Sequence, residues 1–266
     1  MPDIGSSRTD DRGAASRRIE ATFRFYAELN DFLAPDARGR AINASYLVSP
    51  SVKDAIEALG VPHVEVDLIL VNDEPVGFDY RVRAEDRVAV YPVFEALDIA
   101  PIRRLGRPPL RRTCFIADVH LRKLSRLLRL MGFDVLHSPT STDSELVDVS
   151  VRTGRILLTR DRALLKHGRL THGYWVRSVQ PRRQAVEVVR RFDLAGDIRL
   201  LSRCPRCNGV LKPVDKADVL PRIPPRTAAW VDEYVECVSC GKLYWQGTHV
   251  DRIRAALDQI LRDATD

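Results

Sequence analysis

Two pairs of cysteines near the end of the chain constrain its fold more than any other feature. Cys204 and Cys207 form one Cys-x-x-Cys pair, Cys237 and Cys240 form a second, and 29 residues separate the pairs. Each pair can offer two thiolates from a tight turn, and two such turns complete a tetrahedral site for structural Zn²⁺. We therefore predict a zinc ribbon followed by a C-terminal helix over residues 201–266. A dithiol redox pair is the alternative, and the doubled spacing argues against it.

The middle of the chain alternates between short apolar strands and helices. Over residues 113–200, the segments TCFIADV, FDVLH, RILLTRD and GYWVRS are typical of strands, and the stretches between them have helical spacing. This order is typical of a parallel sheet with crossover helices, which places the segment in the α/β class. Residues 19–98 have a different order, β-β-α-β-β, with a helix that follows Ser51 and stops at Gly60.

The remaining segments differ from one another in charge and polarity. Residues 1–18 are polar and lack an apolar signal core, so we predict a disordered tail and a cytoplasmic protein. Residues 99–112, rich in Arg and Pro, predict a basic linker that is either a flexible tether or a strap beside a phosphate backbone. Residues 101–203 hold 22 Lys/Arg and 9 Asp/Glu, a net charge of +13. Such a segment indicates a polyanion partner, although a solvated basic surface has the same composition.

Three carboxylates are placed to meet at one edge of the predicted sheet. Asp118 follows the strand FIA, Asp161 follows ILLTR, and Asp143 opens the helix before that second strand. In open parallel sheets the active site lies outside the carboxyl ends of the strands. Carboxylates gathered there repel one another unless a cation is bound, and oxygen ligands suit Mg²⁺ or Mn²⁺. We predict a catalytic metal site at these acids, with Thr159 bonding a metal-bound water or the substrate phosphate.

Each predicted site residue also has a structural alternative. Asp118 can cap the helix that starts near His120, Asp161 can be a turn residue, and Asp143 can favour a helix N-terminus by its charge. Glu145, three residues after Thr142, could also reach the metal, but a capping box is the favoured assignment.

Four further residues are candidate substrate contacts. Arg122 and Arg160 could reach a phosphate, and Trp245 and His249 could contact RNA bases. Exposed arginines are common, however, and Trp245 could equally pack the ribbon against the preceding domain.

The motifs of the second half resemble the PIN-like RNases of the mut-seven C-terminal family. The likeness lies in FIADVHLRKLSRLLRLMGFDV, in TDSELVDVSVRTGRILLTRDRALL and in CNG with YWQGTH, and it covers about residues 113–266. The resemblance implies a PIN-like parallel sheet and a divalent-metal acidic site. Asp118, Asp143 and Asp161 match the acids of the family, with Thr159 in its hydroxyl position. PIN nucleases commonly have a fourth acid after the next strand, whereas WVRSVQPRRQ contains none.

The first part of the chain resembles the ubiquitin-like sulfur carriers of the β-grasp fold. The turn VNDEPV and the strand EDRVAVYPV carry this resemblance. Those carriers end in a Gly-Gly that is adenylated, whereas PVFEALDI has no Gly-Gly and continues into the next domain. We therefore expect a docking or regulatory role for this domain and no carrier chemistry.

Three functional hypotheses follow from these residues and resemblances. The first is a Mg²⁺- or Mn²⁺-dependent endoribonuclease that hydrolyses RNA phosphodiester bonds, with Zn²⁺ in the ribbon. The second is a non-catalytic RNA- or ribosome-binding protein with a degenerate acidic site. The third is an adaptor that binds a protein partner through the β-grasp domain. No run of about 18 apolar residues occurs, so no membrane association is expected.

Overall fold

The computed structural model describes residues 18–92, 104–105, 113–245, 255 and 262. The predicted tail is described only at Arg18, and the predicted linker only at Arg104 and Leu105. Both predictions therefore lie almost entirely outside the described residues.

The N-terminal domain (residues 18–92) folds into a five-stranded sheet with one α-helix packed on it. Its elements are β1 (Ile19–Phe25), β2 (Ile42–Tyr46), α1 (Val52–Ala58), β3 (Val66–Val71), β4 (Glu74–Pro75) and β5 (Arg87–Pro92), with 3₁₀ helices at Ala27–Phe32 and His63–Glu65. The strand order is β2-β1-β5-β3-β4, in which β1 and β5 run parallel and the other neighbours antiparallel. The predicted β-β-α-β-β order is confirmed, and the short strand β4 is an addition.

Helix α1 forms because its sequence supplies both a cap and an apolar face. The Asp54 amide donates to Ser51 Oγ at 3.1 Å, which satisfies one free donor of the first turn. Val52 and Ile56, one turn apart, are completely buried in the core of this domain. The helix therefore covers the sheet with the face that the sequence predicts.

The central domain (residues 113–200) is built on a four-stranded sheet in which all neighbours are parallel. Its elements are β6 (Phe115–Ala117), α2 (Arg122–Leu130), β7 (Val135–His137), α3 (Asp143–Thr153), β8 (Ile156–Thr159), α4 (Arg162–Leu165), β9 (Gly173–Trp175) and α5 (Pro181–Arg191), with 3₁₀ helices at Val119–Leu121 and Ala195–Asp197. The order β7-β6-β8-β9 places β6 and β8 side by side at the centre. The predicted parallel sheet is confirmed.

Both faces of this sheet are covered by helices, which explains why its strands are apolar throughout. Phe115 and Ala117 of β6 belong to the core that includes residues of α2 and α5. Ile116 belongs to the core that includes residues of α3 and α4. The alternation arises because successive side chains of a strand point to opposite faces.

The ribbon (residues 201–245) holds a small antiparallel sheet in the order β10-β11-β12. Its elements are β10 (Leu211–Val214), α6 (Lys216–Val219), α7 (Pro225–Ala228), β11 (Tyr234–Cys237) and β12 (Leu243–Trp245), with a 3₁₀ helix at Leu220–Arg222. The predicted C-terminal helix is described only at residues 255 and 262, both of which are helical. No helix within the described ranges is long and apolar enough to cross a membrane.

The N-terminal and central domains contact each other directly. The rings of Phe32 and Trp175 lie 5.0 Å apart between centroids. Arg177 Nε donates to the Asp31 carboxylate at 2.8 Å, across the same boundary. The two domains therefore share a packed interface in addition to the linker that joins them.

Glu65 of the N-terminal domain is completely buried in this interface. Its Oε1 accepts the Trp175 amide at 2.6 Å, and its Oε2 has no hydrogen-bond partner within the described structure. Burial raises the pKa of Glu65 to about 7, although the Trp175 amide and the charges of Arg191 and Arg177 act to lower it. The interface thus contains an acid that changes its charge near neutral pH.

Replacing Glu65 with Gln should make the free energy of unfolding less dependent on pH. The pKa of this carboxyl is higher in the folded state than in the unfolded state, so the folded state binds more protons between pH 4.5 and about 7. The stabilisation of the folded state that this proton provides is lost as the pH rises through that interval. Relative to Glu65→Gln, the wild type should lose up to roughly 3 kcal/mol over that interval. Chemical denaturation of both proteins at about pH 5 and about pH 8 measures this loss. If the free energies of unfolding of the two proteins differ by the same amount at both pH values, Glu65 is not the titrating group.

Candidate active site and cysteine cluster

The carboxyl ends of β6 and β8 bring Asp118 and Thr159 together. Asp118 directly follows β6, and its amide donates to the Leu158 carbonyl at 2.9 Å, which extends the ladder between the two strands. Thr159 Oγ1 donates to Asp118 Oδ2 at 2.6 Å. The two residues are only 6% and 0% exposed. They therefore form a fixed, largely dry pair at the middle of the sheet edge.

Asp161 is connected to this pair through the same hydroxyl. Its backbone amide donates to Thr159 Oγ1 at 2.9 Å, so the hydroxyl accepts from Asp161 while it donates to Asp118. The side chain of Thr159 thus fixes both Asp118 and Asp161, because a hydroxyl is both a donor and an acceptor. The hydroxyl hydrogen is directed at Asp118, and the contact of Thr159 with substrate or metal-bound water stays a prediction.

Both acids also cap the turns that follow them. Asp118 Oδ1 accepts the His120 amide at 3.1 Å, and Asp161 Oδ1 accepts the Ala163 amide at 2.7 Å at the start of α4. The capping alternative for Asp118 therefore holds for one of its oxygens, and Asp161 likewise uses one oxygen as a cap, which the sequence did not predict. Asp161 is exposed, and its Oδ2 bonds to no described residue, which leaves that oxygen open to a ligand.

The third predicted acid, Asp143, lies in the first turn of α3. The Glu145 amide donates to Thr142 Oγ1 at 3.3 Å, and the Thr142 amide donates to Glu145 Oε2 at 2.8 Å. The assignment of Glu145 to a capping box is thereby confirmed. Asp143 is exposed and bonds to no described residue, so its carboxylate is also open to a ligand.

The described residues bring together only one compact set of metal-ligating side chains, and that set is the four cysteines. The three acids do not form such a set, since their nearest oxygens do not all lie within 4.8 Å of one another. Their chemistry nevertheless fits a hard divalent cation, because two exposed carboxylates and one fixed carboxylate offer oxygen ligands only. The metal site at this edge of the sheet stays a prediction.

A fourth carboxylate does lie at the end of β9, and α5 contributes it. Glu187 Oε1 accepts the Arg177 amide at 2.8 Å and the Tyr174 hydroxyl at 3.1 Å, and its Oε2 accepts the Ser178 amide at 3.0 Å. Because these donors occupy both oxygens, Glu187 fixes the loop after β9. The sequence prediction looked for an acid within WVRSVQPRRQ, and Glu187 follows that stretch by three residues.

His137, at the end of β7, was not singled out from the sequence. Its Nε2 lies 3.3 Å from the Val119 carbonyl oxygen, immediately beside Asp118. Burial and the charges of Arg129 and Arg122 lower the pKa of His137, despite opposing effects of Val119 and Asp118. A histidine at the end of FDVLH was the only sequence signal, and such a position is common for packed residues.

A groove of about 820 Å³ lies between α2 and the ribbon. Its lining includes residues of α2, which we call one wall, and Lys242 with the residues of β12, which we call the other; His137 and the first cysteine turn also line it. We call it the ribbon groove and define it by the side chains Arg122, Arg126, His137, Lys242, Tyr244 and Trp245.

The four predicted substrate contacts have different positions relative to this groove. Arg122 and Trp245 line it. Trp245 also packs on Tyr234 at 6.0 Å between ring centroids, so it belongs to the ribbon core as well. Arg160 lies elsewhere and donates to the Ser178 carbonyl at 3.1 Å. His249 lies outside the described residues.

The four cysteines come together, as their spacing predicts. Cys204 Sγ lies 3.8 Å from Cys240 Sγ, and Cys207 Sγ lies 3.4 Å from Cys237 Sγ. All four sulfur atoms lie within 4.8 Å of one another. This is the set of ligands that a closed tetrahedral zinc site uses, so the cluster could hold Zn²⁺.

Two tight turns fold the backbone around these sulfurs. Asn208 and Gly241 adopt positive φ angles of 72° and 64°, a region that Gly and Asn enter at least cost. A Cβ atom on Gly209 would lie 2.7 Å from Cys237 Sγ, so the sulfur leaves no room for a side chain. The residues between and after the cysteines are thus as necessary to the cluster as the spacing itself.

The surroundings of Cys204 favour its thiolate. Burial raises the pKa of Cys204, but the Tyr244 hydroxyl, 3.0 Å from Sγ, and the amides of Cys207 and Arg206 lower it to about 7. Burial raises the pKa of the neighbouring Cys207 instead, so the four sulfur atoms and their spacing, and not these pKa shifts, support the metal site.

Asp134, in the turn before β7, ties the ribbon to the central domain. Its carboxylate accepts Asn208 Nδ2 at 2.7 Å, Arg155 Nη1 at 2.8 Å and Arg203 Nη2 at 3.3 Å. Burial acts to raise the pKa of Asp134, yet the hydrogen bonds from Arg155 and Asn208 hold it below its ordinary value. Since Asn208 belongs to the first cysteine turn, one carboxylate links the parallel sheet to the cysteine cluster.

The domain order, the parallel sheet and the cysteine cluster agree with two family models. The model described as the Mut7-C RNAse domain matches residues 113–257, more than half of the chain. The chain belongs to the Mut7-C RNAse domain family. The model described as Mut7-C ubiquitin matches residues 18–98, so the N-terminal domain is ubiquitin-like. No curated protein and no solved structure matches the chain.

The matched ranges confirm the resemblance to the mut-seven C-terminal family and the ubiquitin-like character of the N-terminal domain. The strand-end acids, the residues of the ribbon groove and all four cysteines lie within the Mut7-C RNAse domain match. Membership of this family suggests a ribonuclease type of function. The buried interface described above therefore joins a Mut7-C ubiquitin-like domain to a Mut7-C RNAse domain.

Proposed function

We propose that the chain is an endoribonuclease that depends on Mg²⁺ or Mn²⁺. The observation that carries the proposal is the Thr159 hydroxyl, which joins Asp118 to the backbone of Asp161 at neighbouring strand ends. In a Mut7-C RNAse domain, this edge is where a parallel sheet presents its functional groups. Asp118, Asp143 and Asp161 would hold the cation. When bound, it lowers the pKa of a water molecule and polarises the phosphodiester.

The acids of the chain would be set in place before RNA binds. Asp118 is buried and held on both oxygens, by the Thr159 hydroxyl and by the His120 amide. Asp161 is held on one oxygen by the Ala163 amide, while the other oxygen stays free of described partners. Groups fixed in this way need little reorganisation when the reaction occurs.

The charge around the acids favours a phosphate chain as substrate. The net charge of +13 over residues 101–203 includes Arg122, an exposed side chain four residues after Asp118. Positive charge beside an acidic site raises the local concentration of a polyanion and offsets its repulsion from the carboxylates.

A non-catalytic RNA- or ribosome-binding protein is the second candidate. Two observations favour it: the three acids do not form a compact set, and the carboxylate at the end of β9 is occupied by amides. In that case Asp118 and Asp161 act only as caps, and the basic surface alone contacts RNA.

Asp161→Asn should keep the fold and abolish RNA cleavage. The Asn side chain can still accept the Ala163 amide, so the start of α4 survives, but it lacks the negative charge that a hard cation requires. Asp118→Asn should also lose cleavage, since both acids would hold the same ion. The measurement is cleavage of a labelled circular RNA, which has no ends, in Mg²⁺ and in Mn²⁺. A circular DNA assayed in parallel tests the choice between RNA and DNA.

Glu145→Gln is the matched control for these acid variants. It also removes a carboxylate from the same edge of the sheet, but Gln can keep the capping box, so cleavage should match the wild type. Wild-type rates in folded Asp161→Asn would show that this carboxylate is only a cap. Failure of the wild type to cleave RNA in either metal would favour the second candidate.

The cysteine cluster should bind one Zn²⁺ per chain. Elemental analysis of the purified protein should find zinc in near-stoichiometric amount, and Cys237→Ser should lose both the zinc and much of the stability of the ribbon. Cys114→Ser, which alters a cysteine outside the cluster, should keep the zinc. Retention of zinc and stability by Cys237→Ser would contradict the assignment.

A further inference from the structure

We propose that the ribbon groove binds single-stranded RNA and directs it toward Asp118. This inference rests on the proposed function in one respect, because the strand-end acids are taken as the place where the strand is cut. The binding itself depends on the walls of the groove, whose charge, shape and aromatic surface are independent of the acids.

The charge of the groove suits a phosphate chain. Arg122 and Arg126 are exposed and lie on one face of α2, because they are four residues apart. Neither side chain forms an ion pair with a described residue. Lys242 extends from the opposite wall, 5.6 Å from the centroid of the Tyr244 ring. No Asp or Glu is among the described residues that line the groove.

The shape of the groove is fixed by a buried arginine. Arg129 Nη1 donates to the Arg206 carbonyl at 3.2 Å and to the Pro205 carbonyl at 3.4 Å, and its Nε donates to the Val135 carbonyl at 2.9 Å. These bonds join α2 to the first cysteine turn. Two segments that line the groove, α2 and the first cysteine turn, are therefore held together without a bound ligand.

The aromatic side chains of β12 favour a single strand over a duplex. Tyr244 and Trp245 both line the groove, and both are only partly buried. Unstacked bases can stack on such rings, whereas a duplex covers the faces of its bases. A groove lined by exposed arginines of α2 and by aromatic residues of β12 suits both the phosphates and the bases of a single-stranded RNA.

His137 connects the groove to the acids. Its ring lines the groove, and its Nε2 lies 3.3 Å from the carbonyl oxygen of Val119, the residue after Asp118. Arg122 begins α2 four residues after the same acid. A strand lying in the groove would therefore reach the edge of the sheet at the Asp118–Thr159 pair.

The test compares two double charge reversals in the full chain, each carrying Asp161→Asn so that RNA is not consumed. Arg122→Glu with Arg126→Glu alters the groove, and Arg182→Glu with Arg183→Glu alters exposed arginines of α5 by the same net charge. Fluorescence anisotropy at one fixed salt concentration should show a loss of affinity for a single-stranded oligoribonucleotide of at least about tenfold for the first pair, and less than about twofold for the second. Equal losses of RNA affinity for the two pairs would mean that the overall positive charge of the protein attracts the RNA. That result would overturn the inference.

The opposite wall and the duplex supply two further comparisons. Lys242→Glu should weaken single-strand binding more than Lys212→Glu, an exposed reversal on the far edge strand of the ribbon sheet. The single strand should bind more tightly than a duplex of the same sequence. Equal affinity for the two RNAs would overturn the stacking argument and with it the inference.

These results are separable from those of the cleavage assay. If the wild type cleaves RNA but the groove pair keeps its affinity, the groove inference is wrong and the proposed function stands. If the wild type does not cleave RNA but the groove pair loses affinity, the groove inference is supported and the proposed function is contradicted.

Discussion

The hydrogen bond from Thr159 Oγ1 to Asp118 Oδ2 is the interaction on which the candidate active site depends. It joins the two central strands of the parallel sheet beyond their ladder, and it satisfies one oxygen of a buried carboxylate. A buried carboxylate oxygen without a donor would cost about 1–3 kcal/mol or more, so the acid and the hydroxyl need each other. The same hydroxyl accepts the Asp161 amide and thereby sets the start of α4.

The ribbon and the N-terminal domain pack beside the two outer strands of this sheet, β7 and β9. The ribbon bonds to the segment around β7 through Asp134 and Arg129, and the N-terminal domain packs on β9 through Trp175 and Glu65. The strands between them, β6 and β8, carry the acids. The ribbon therefore forms one wall of the proposed groove that leads to the acids. The ubiquitin-like domain packs on β9, the outer strand on the opposite side of the sheet.

Features encoded by neighbouring residues could be predicted from the sequence, and features created by packing could not. The strand before Asp118, the capping box at Glu145 and the cysteine turns follow from local spacing. In contrast, Glu187 reaches the end of β9 from a later helix, and Glu65 bonds to an amide 110 residues away. These contacts depend on how whole elements pack. The proximity of the acids was also expected from topology alone, which sets their shared edge but not the distances between their oxygens.

The central claim, that the strand-end acids hold a cation, is tested most directly by anomalous scattering from crystals grown with Mn²⁺. We predict a manganese peak in contact with carboxylate oxygens of Asp118 and Asp161. A separate zinc peak among the four cysteines serves as the internal control. A clear zinc peak with no manganese at the strand ends, in crystals grown at a high Mn²⁺ concentration, would contradict the claim.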